Sequence, residues 1–594
     1  MATYKAPLRD MRFVLTELLA DAPALPGDEA FDRETVDAIL EAGAQLAEEV
    51  LQPLNRSGDE EGSVLESGVV RTPKGWKEAY ATFCEGGWVG LACDTEDGGQ
   101  GLPKLVHNVV KEMLCSANLA FGMFPGLSNG AYLAIRSHAP DDLKRRYLPK
   151  LASGEWTGTM CLTEPQCGTD LGLIRTRAEP KGDGSYALTG TKIFISCGDH
   201  DFTDNVIHLV LARLPDAPDG IRGISLFLVP KRLPGADGVA GEANGVSTGA
   251  LEHKMGIKAS PPCVINFDGA AGWLVGEKHK GMRCMFTMMN EARLSVGVQG
   301  LGLAEVAYQN ARDYARERIQ GRSVSGAKET AKPADPIIVH PDVRRMLLGI
   351  RAFTEGSRAL AYWVGQLLDE SERHPDADRR AAADELVQLL TPVVKAYLTD
   401  GGFDAAVTAQ QVYGGHGYIR EHGVEQFVRD ARIAQIYEGT NGIQALDLVG
   451  RKMPMNLGRL LRRFFHPVDS FIQANGADPA LTEFVMPLAK AFAKLQQATA
   501  QLAEKGLKDP EEAVSGATDY LRLFGHVALG FLWCRMVKIA QAKVAAGADP
   551  DGFYAAKVMT ARFFVERVLP ETDTLFRTVL AGKRTLMEMP AEAF

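Results

Sequence analysis

The spacing of apolar residues predicts helices over the first quarter of the chain. From residue 36 to residue 50, apolar side chains recur at steps of three and four residues, which places them on one face of a helix. We therefore predict an N-terminal helical domain over residues 1–155. The repeat is defined by Val36, Ile39, Leu40, Ala44, Ala47 and Val50.

The pattern changes between residues 156 and 275 to short runs rich in Val, Ile, Thr and Phe. Glycine, proline and aspartate separate these runs, as is typical of short strands joined by turns. The sequence therefore predicts a central antiparallel β domain over residues 156–275. The runs lie at residues 186–196, 206–212, 223–229 and 263–267.

A helical period returns after the predicted β domain and continues to the end of the sequence. It predicts a second helical domain over residues 276–460 and a helical extension over residues 461–594, with loops near residues 326–336 and 463–479. The predicted fold class is thus mainly α, with a central antiparallel β domain and a C-terminal helical extension.

Charge and cysteine content exclude several classes of function. The 594 residues include 65 Lys and Arg against 75 Asp and Glu, and the resulting net charge of −10 disfavours a nucleic-acid partner. The nine cysteines form no CxxC pair, so we expect neither a disulfide framework nor a metal site. They indicate reduced thiols in a cytoplasmic protein.

No membrane span is predicted, because the most apolar run covers only residues 527–534. A bilayer requires about 20 apolar residues, so this run indicates a buried bundle helix. Motifs for other common chemistries are also missing. Gly321 and Gly326 have the spacing of a P-loop, but Ala327 stands where the phosphate-binding lysine belongs. The sequence has no GxGxxG at a βαβ unit, no HExxH and no GxSxG.

One carboxylate in the segment QIYEGTNGIQ, residues 435–444, is a candidate catalytic group. Glu438 follows the apolar residues Ile436 and Tyr437 and precedes a glycine-rich turn. Burial against these residues would raise the pKa of the carboxyl group, as a general base for a weak carbon acid requires, and nearby N–H groups could polarise a carbonyl. Taken alone, the segment is equally compatible with a helix end beside a loop.

Two further segments have the composition of ligand-binding turns. Residues 161–170 combine hydroxyl groups and backbone N–H groups at a turn marked by proline and glycine, which suits a planar polar ligand. Residues 411–417 contain three glycines that permit close approach to a phosphate. Each segment by itself also fits an ordinary turn or helix end.

Six motifs in order resemble the acyl-CoA dehydrogenase family over most of residues 40–455. The chain as a whole is similar to a long bacterial branch of that family with extra C-terminal helices. The motifs are TEPxxGTD at 163–170, TKIFIS at 191–196, KMGIKAS at 254–260, NEAR at 290–293, ARER at 315–318, and QVYGGHGYIRE with RDARIAQIYEGTNGIQ through 444.

The resemblance implies non-covalently bound FAD. Residues 160–169 match a loop along the isoalloxazine ring, residues 194–196 match a strand that stacks beside it, and Arg318 matches an arginine at the pyrophosphate. Gln411 and Gly415 match a segment that a neighbouring subunit contributes to the FAD site. The full set is Met160, Leu162, Thr163, Gly168, Thr169, Phe194, Ile195, Ser196, Arg318, Gln411, Gly415 and Thr440.

The same resemblance implies α,β-dehydrogenation of an acyl-CoA thioester to a trans-2-enoyl-CoA. Glu438 matches the base that removes the α-proton while a hydride leaves the β-carbon for flavin N5. The expected partners are an electron-transferring flavoprotein and a second copy of the chain, as a homodimer. The residues matched to the substrate are Thr169, Met289, Asn290, Arg293 and Gly439.

Departures from the family pattern leave alternatives open. The family's arginine-x-x-Phe-Gly motif is one residue short after Arg318, and Gly442 replaces a polar residue frequent after the base. Some branches place the base before the arginine that matches Arg293, where this chain has Ala292 and only the neighbouring Glu291 is acidic. An acyl-CoA oxidase that uses oxygen, or a flavin-containing DNA-binding member of the same fold, is the alternative function.

Overall fold

A computed structural model describes residues 2–21, 25–26 and 32–594. The chain divides into two compact units. The sheet unit consists of Ala42–Pro103 and Met113–Ser295. The helical unit consists of Met1–Glu41, Lys104–Glu112 and Val296–Phe594.

Helices make up most of the described chain and are numbered in chain order. The α-helices are α1 Leu8–Phe13, α2 Arg33–Gln45, α3 Pro53–Glu61, α4 Trp76–Glu85, α5 Lys104–Ala117, α6 Leu119–His138, α7 Asp141–Ser153, α8 Gly281–Glu317, α9 Pro341–Arg373, α10 Ala377–Tyr413, α11 Val424–Arg432, α12 Asn441–Asp447, α13 Arg459–Asn475, α14 Thr482–Lys508, α15 Pro510–Val514, α16 Ala517–Ala545, α17 Phe553–Phe563, α18 Glu571–Leu580 and α19 Arg584–Met587.

The strands belong to the sheet unit. They are β1 Val64–Glu66, β2 Val69–Arg71, β3 Thr157–Cys161, β4 Arg177–Pro180, β5 Tyr186–Ser196, β6 Val206–Arg213, β7 Ile224–Pro230, β8 Arg232–Pro234, β9 Ala240–Ala243, β10 Val246–Leu251 and β11 Pro262–Val275. The largest sheet has seven strands in the order β10-β11-β5-β4-β6-β3, with β7 paired to β11 and β6.

This sheet is mixed, whereas the sequence predicted an antiparallel one. Most neighbours are antiparallel, but β3 pairs with β6 in parallel, with Thr157 opposite Val206 and Cys161 opposite Val210. The 44 residues between these strands allow the chain to cross back, which parallel pairing requires. The apolar runs in the sequence correspond to β5, β6, β7 and β11 but do not include β3, so the sequence could not reveal this parallel pair.

Strands β6 and β7 are buried on both faces. Alternate residues of β6 and β7 enter two different apolar clusters, one containing Leu209 and Leu226 and the other containing Val210 and Phe227. Because both faces are covered, the sequences of these strands are nearly continuous apolar runs. The sheet is therefore a rigid platform for the loops that leave β3 and β5.

The helical unit is built around two long neighbouring helices. Helices α9 and α10 contain 33 and 37 residues, which corresponds to lengths of about 50 and 55 Å. Helix α16 of the C-terminal extension packs against both. It is the one described helix long and apolar enough to cross a membrane, and 83% of its most apolar window is buried inside the protein.

A loop predicted near residues 463–479 is instead mostly helix α13. Leu460, Leu461, Phe464 and Val468 are buried at helical spacing along it, and Pro467 lies inside the helix. Burial of this apolar face outweighs the cost of one missing backbone hydrogen bond. The prediction of a loop over residues 463–479 was therefore wrong for most of that range.

A buried ion network joins distant segments of the helical unit. The Arg358 guanidinium, 1% exposed, lies 2.6 Å from Glu112 Oε1 and 2.6 Å from Glu305 Oε2, and it also binds Asp10. Lys557 binds Glu355 at 2.6 Å in the same network. Since removing one partner of such a network leaves a buried charge uncompensated, these contacts fix how the segments pack.

Candidate active site

A buried lysine holds the loop that follows β3 in the sheet unit. Lys192, on an inward-facing position of β5, is fully buried. Its ammonium group donates to the Leu162 carbonyl oxygen at 3.0 Å and to Glu164 Oε1 at 2.8 Å. The 162–170 loop is thus attached to the sheet through both its backbone and a carboxylate.

Glu164 accepts further hydrogen bonds from the residues just before β4. Its carboxylate accepts from the Arg175 N–H at 2.7 Å, from the Thr176 N–H at 3.1 Å and from Thr176 Oγ1 at 2.6 Å. Burial alone would raise the pKa of Glu164, but Lys192 and these donors lower it to about 2. The carboxylate is therefore ionised at neutral pH and serves to hold the loop.

The outward side of this region carries the predicted ligand-contacting residues. Gly168 and Thr169 are exposed, and Thr163 and Ser196 are partly exposed. Phe194 has a left-handed backbone with φ of 56° and leaves 61% of its surface accessible.

Three other predicted residues of the sheet unit lie deeper. Met160 and Leu162 are partly buried and pack against the apolar core. The Ile195 side chain belongs to the core, with 2% exposed.

The first half of α8 presents the predicted substrate residues of the sheet unit. Asn290 is exposed and Met289 is partly buried. Arg293 is 6% exposed, with its guanidinium 5.9 Å from the centre of the Phe286 ring. Glu291, the alternative base, is partly exposed on the same helix.

In the helical unit, Glu438 lies on a turn between a short helical turn ending at Gln435 and helix α12. Glu438 is half-buried and has a φ of 59°, and Gly439 follows with a φ of 81°. A non-glycine residue in the left-handed region costs about 1–3 kcal/mol, so surrounding contacts must maintain this backbone. Thr440 then caps α12 by accepting from the Ile443 N–H at 3.4 Å.

Two side chains bind the carbonyl groups of this turn. Gln444 Nε2 donates to the Glu438 carbonyl at 2.9 Å. Lys395 Nζ donates to the Gly439 carbonyl at 2.8 Å and to Asn441 Oδ1 at 2.8 Å. Lys395 and Gln444 are both fully buried. The left-handed turn is therefore fixed from the protein interior.

The remaining predicted residues lie at helix ends of the helical unit. Arg318 directly follows α8, is exposed, and makes no side-chain ion pair among the described residues. Gln411 lies in the last turn of α10 and Gly415 in the short helical segment Gly414–Tyr418, both exposed.

Family models match nearly the whole chain. The N-terminal, middle and C-terminal domains of acyl-CoA dehydrogenase match residues 33–155, 159–270 and 279–453, and an acetyl-CoA dehydrogenase C-terminal-like domain matches residues 464–590. The chain belongs to the acyl-CoA dehydrogenase family. It is an oxidoreductase that uses FAD and dehydrogenates acyl-CoA thioesters.

Full-length relatives place this acyl-CoA dehydrogenase in the long branch that the sequence indicated. It is 45% identical to 3-methylmercaptopropionyl-CoA dehydrogenase of Ruegeria pomeroyi, over 96% of both chains. It is 34% identical to a butyryl-CoA dehydrogenase of Syntrophomonas wolfei, over 100% of this chain and 99% of the relative. The predicted family and branch are confirmed.

Solved structures share the fold of this acyl-CoA dehydrogenase. Caenorhabditis elegans ACDH-11 in complex with C11-CoA matches with a TM-score of 0.79 and 22% identity, over 96% of this chain and 92% of that chain. An acyl-CoA dehydrogenase complexed with FAD from Bacillus anthracis gives 0.74 and 22%, over 97% and 92%. The electron transferring flavoprotein of Acidaminococcus fermentans gives 0.59 and 26%, over 72% and 100%.

The residues present in this acyl-CoA dehydrogenase fit FAD. In the sheet unit, a planar ring would cover the exposed Phe194, beside the hydroxyl groups of Thr163 and Ser196. In the helical unit, Arg318 offers several N–H donors in a fork that suits a pyrophosphate. Among the described residues, no group of three or more His, Cys, Asp or Glu side chains could hold a metal ion.

The buried residues that hold the two loops carry no functional assignment from the sequence motifs. Glu164 and Lys192 lie inside quoted motifs, and the inward position of Lys192 on an alternating strand could have identified it. Lys395 was visible as a single lysine within the apolar helical run VVKAYL. A charged residue on a buried face requires a partner, and that was the available signal.

Proposed function

We propose that Glu438 is the base that removes the α-proton of an acyl-CoA thioester, giving a trans-2-enoyl-CoA. Support comes from the position of this carboxylate, half-buried in the matched QIYEGT segment and on a turn held by Lys395 and Gln444. When bound, FAD supplies the hydride acceptor, flavin N5, for the hydrogen that leaves the β-carbon.

The chain must also make the α-proton more acidic. A carboxylate deprotonates such a weak carbon acid only if the thioester oxygen receives hydrogen bonds while negative charge develops on it. In the family this role belongs to the backbone N–H of the base and to a ribityl hydroxyl of FAD. We assign the protein part of it to the Glu438 N–H, in the peptide group directly before the left-handed turn.

Residues of α8 and of the 162–170 loop are proposed to bind the acyl-CoA. Arg293 supplies a buried cation, and Thr169 and Asn290 supply exposed polar groups. Met289 contributes apolar contact, and Gly439 permits close approach beside the base. The named activities of the relatives favour a short acyl group, with the 3-methylmercaptopropionyl thioester first and the butyryl thioester second.

We further propose an electron-transferring flavoprotein as the electron acceptor and a cytoplasmic homodimer as the assembly. The first point rests on membership of the acyl-CoA dehydrogenase family, for which the sequence resemblance implies this acceptor. The exposed positions of Gln411 and Gly415 support the second, because they leave both residues available to complete the cofactor site of a second copy.

The test is anaerobic stopped-flow bleaching of the FAD-loaded enzyme by acyl-CoAs of increasing chain length, with the thioether substrate included. We expect bleaching to be fastest with the short thioesters. Glu438→Gln should keep the flavin and lower the bleaching rate by about 10⁴-fold, the upper range for a general base. Glu291→Gln is the matched control and should remain within about twofold of wild type.

Other outcomes identify the alternatives. If Glu438→Gln bleaches as fast as wild type and Glu291→Gln does not, the base lies on α8. Rapid peroxide formation on exposure of the reduced enzyme to air would indicate an oxidase. Salt-dependent binding of duplex DNA at micromolar protein would support the DNA-binding alternative.

A further inference from the structure

The turn that carries Glu438 has a left-handed backbone at a glutamate, a residue type that rarely adopts it. Glu438 and Gly439 are consecutive left-handed residues. A side chain on Gly439 would lie 2.9 Å from Gln444 Nε2, so the amide of Gln444 packs directly beneath the turn. Contacts from outside the turn must therefore keep both peptide groups in this orientation.

Those contacts come from a polar cluster that we name the carbonyl clamp: the buried Lys395 and Gln444 and the partly buried Asn441. Lys395 lies in the middle of α10, 43 residues before Glu438 in the sequence. Its ammonium group binds the Gly439 carbonyl and the Asn441 side chain, while Gln444 binds the Glu438 carbonyl. Two consecutive carbonyl groups are thereby turned into the protein.

The clamp is itself anchored to α10. Asn441 Nδ2 donates to Asp400 Oδ1 at 2.6 Å and to Thr399 Oγ1 at 2.9 Å, and Gln435 Nε2 donates to Asp400 Oδ1 at 2.7 Å. Asp400 therefore binds residues on both sides of Glu438. One rigid helix thus determines the position of the whole turn.

We propose that Lys395 is a positioning residue that sets the direction of the Glu438 carboxylate through the Gly439 carbonyl. Fixing the Glu438 and Gly439 carbonyl groups inward fixes the peptide groups on the C-terminal side of Glu438, with the N–H groups of Gly439 and Thr440 pointing outward. The backbone from which the Glu438 side chain leaves is thereby held in one orientation. This inference rests on the proposed role of Glu438.

The experiment compares FAD-loaded wild type with Lys395→Met, in which a side chain of similar length loses the charge and the donors. We expect FAD content and half-saturating acyl-CoA concentration to change by less than about threefold. The bleaching rate should fall by about 10²-fold, because small misplacements of a reacting group have effects of that size.

A second variant and a control distinguish a loss of positioning from a loss of folding. Gln444→Met removes the donor to the Glu438 carbonyl and should also lower the rate, with amide exchange in residues 436–444 accelerated in both variants. Lys452→Met is the matched control: Lys452 is another buried lysine of the helical unit, with its Nζ 3.5 Å from Gln388 Oε1. It should bleach at the wild-type rate.

The outcomes separate this inference from the proposed function. If Lys395→Met and Gln444→Met bleach at the wild-type rate per bound flavin, the positioning role is overturned. If wild type bleaches and Glu438→Gln bleaches equally fast, the proposed base is wrong. If no acyl-CoA bleaches wild type, the proposed function fails. In that case amide exchange still tests the carbonyl clamp: unchanged exchange at residues 436–444 in both variants would overturn it.

Discussion

The two loops predicted to contact ligands are each held by one fully buried lysine, but in different ways. Lys192 binds the Leu162 carbonyl and Glu164, a carboxylate that collects three further donors from residues 175–176. Lys395 binds the Gly439 carbonyl beside a base with a left-handed backbone. No residue in the 162–170 loop has a positive φ.

This difference separates support of the fold from support of the chemistry. In the sheet unit, charge pairing holds a loop whose backbone is relaxed, so its loss should mainly lower stability. In the helical unit, the lysine maintains a strained turn next to the proposed base, so its loss should mainly lower the reaction rate. Substitutions in either loop can test the distinction.

Lys192→Met should give the largest effect on stability. It leaves Glu164, with a side chain 3% exposed, without its buried counter-ion, which typically costs about 3–5 kcal/mol. Urea unfolding monitored by circular dichroism measures the loss. Lys192→Met combined with Glu164→Gln should recover part of it, and Lys181→Met, at an exposed position of the same unit, should have no measurable effect. If Lys192→Met were as stable as wild type, Lys192 would not support the fold of the sheet unit.

Gly439→Ala should lower the bleaching rate by about 10–100-fold with a smaller effect on folding. An alanine at this φ of 81° is strained, and its Cβ would lie 2.9 Å from Gln444 Nε2 in the carbonyl clamp. Gly442→Ala is the control, because its Cβ would lie 3.9 Å from its nearest neighbour, Thr440 Oγ1. Equal rates for these two variants in single-turnover bleaching would show that the geometry of the turn is unimportant.

The smallest predicted effect is a change of stability with pH that depends on Glu164. Its folded-state pKa of about 2 lies below the usual value near 4.5, so its stabilising contribution is present above pH 4.5 and is lost as pH falls toward 2. The free energy of unfolding in urea should therefore decrease between pH 5 and pH 3 less steeply for Glu164→Gln than for wild type. Identical slopes would contradict the assigned pKa.

Sequence patterns predicted the order of helices, sheet and helices because apolar periodicity reports burial directly. They failed where tertiary contacts decide. The parallel pairing of β3 with β6 depends on a crossover, and α13 forms through Pro467 because its apolar face is covered. Neither fact is encoded in the local residue pattern.

For the site too, local sequence motifs identified candidate residues, whereas tertiary contacts decided features that the motifs do not show. Family motifs identified the candidates Glu438, Phe194 and Arg318, and the structure shows their backbone and exposure. The clamp residue Lys395 lies 43 positions before Glu438, and only the fold brings it to the turn. The left-handed φ of Glu438 could not be read from a glutamate, a residue type that rarely adopts it.

The ion network of the helical unit has a consequence for the order in which the chain folds during synthesis. Arg358 binds Asp10 from the N-terminal segment, and Tyr554 donates at 2.8 Å to Glu17, 537 residues earlier. A ribosome adds about 5–20 residues each second, so the N-terminal segment waits tens of seconds for these partners. The sheet unit, made entirely of residues before Val296, can form its core within that interval.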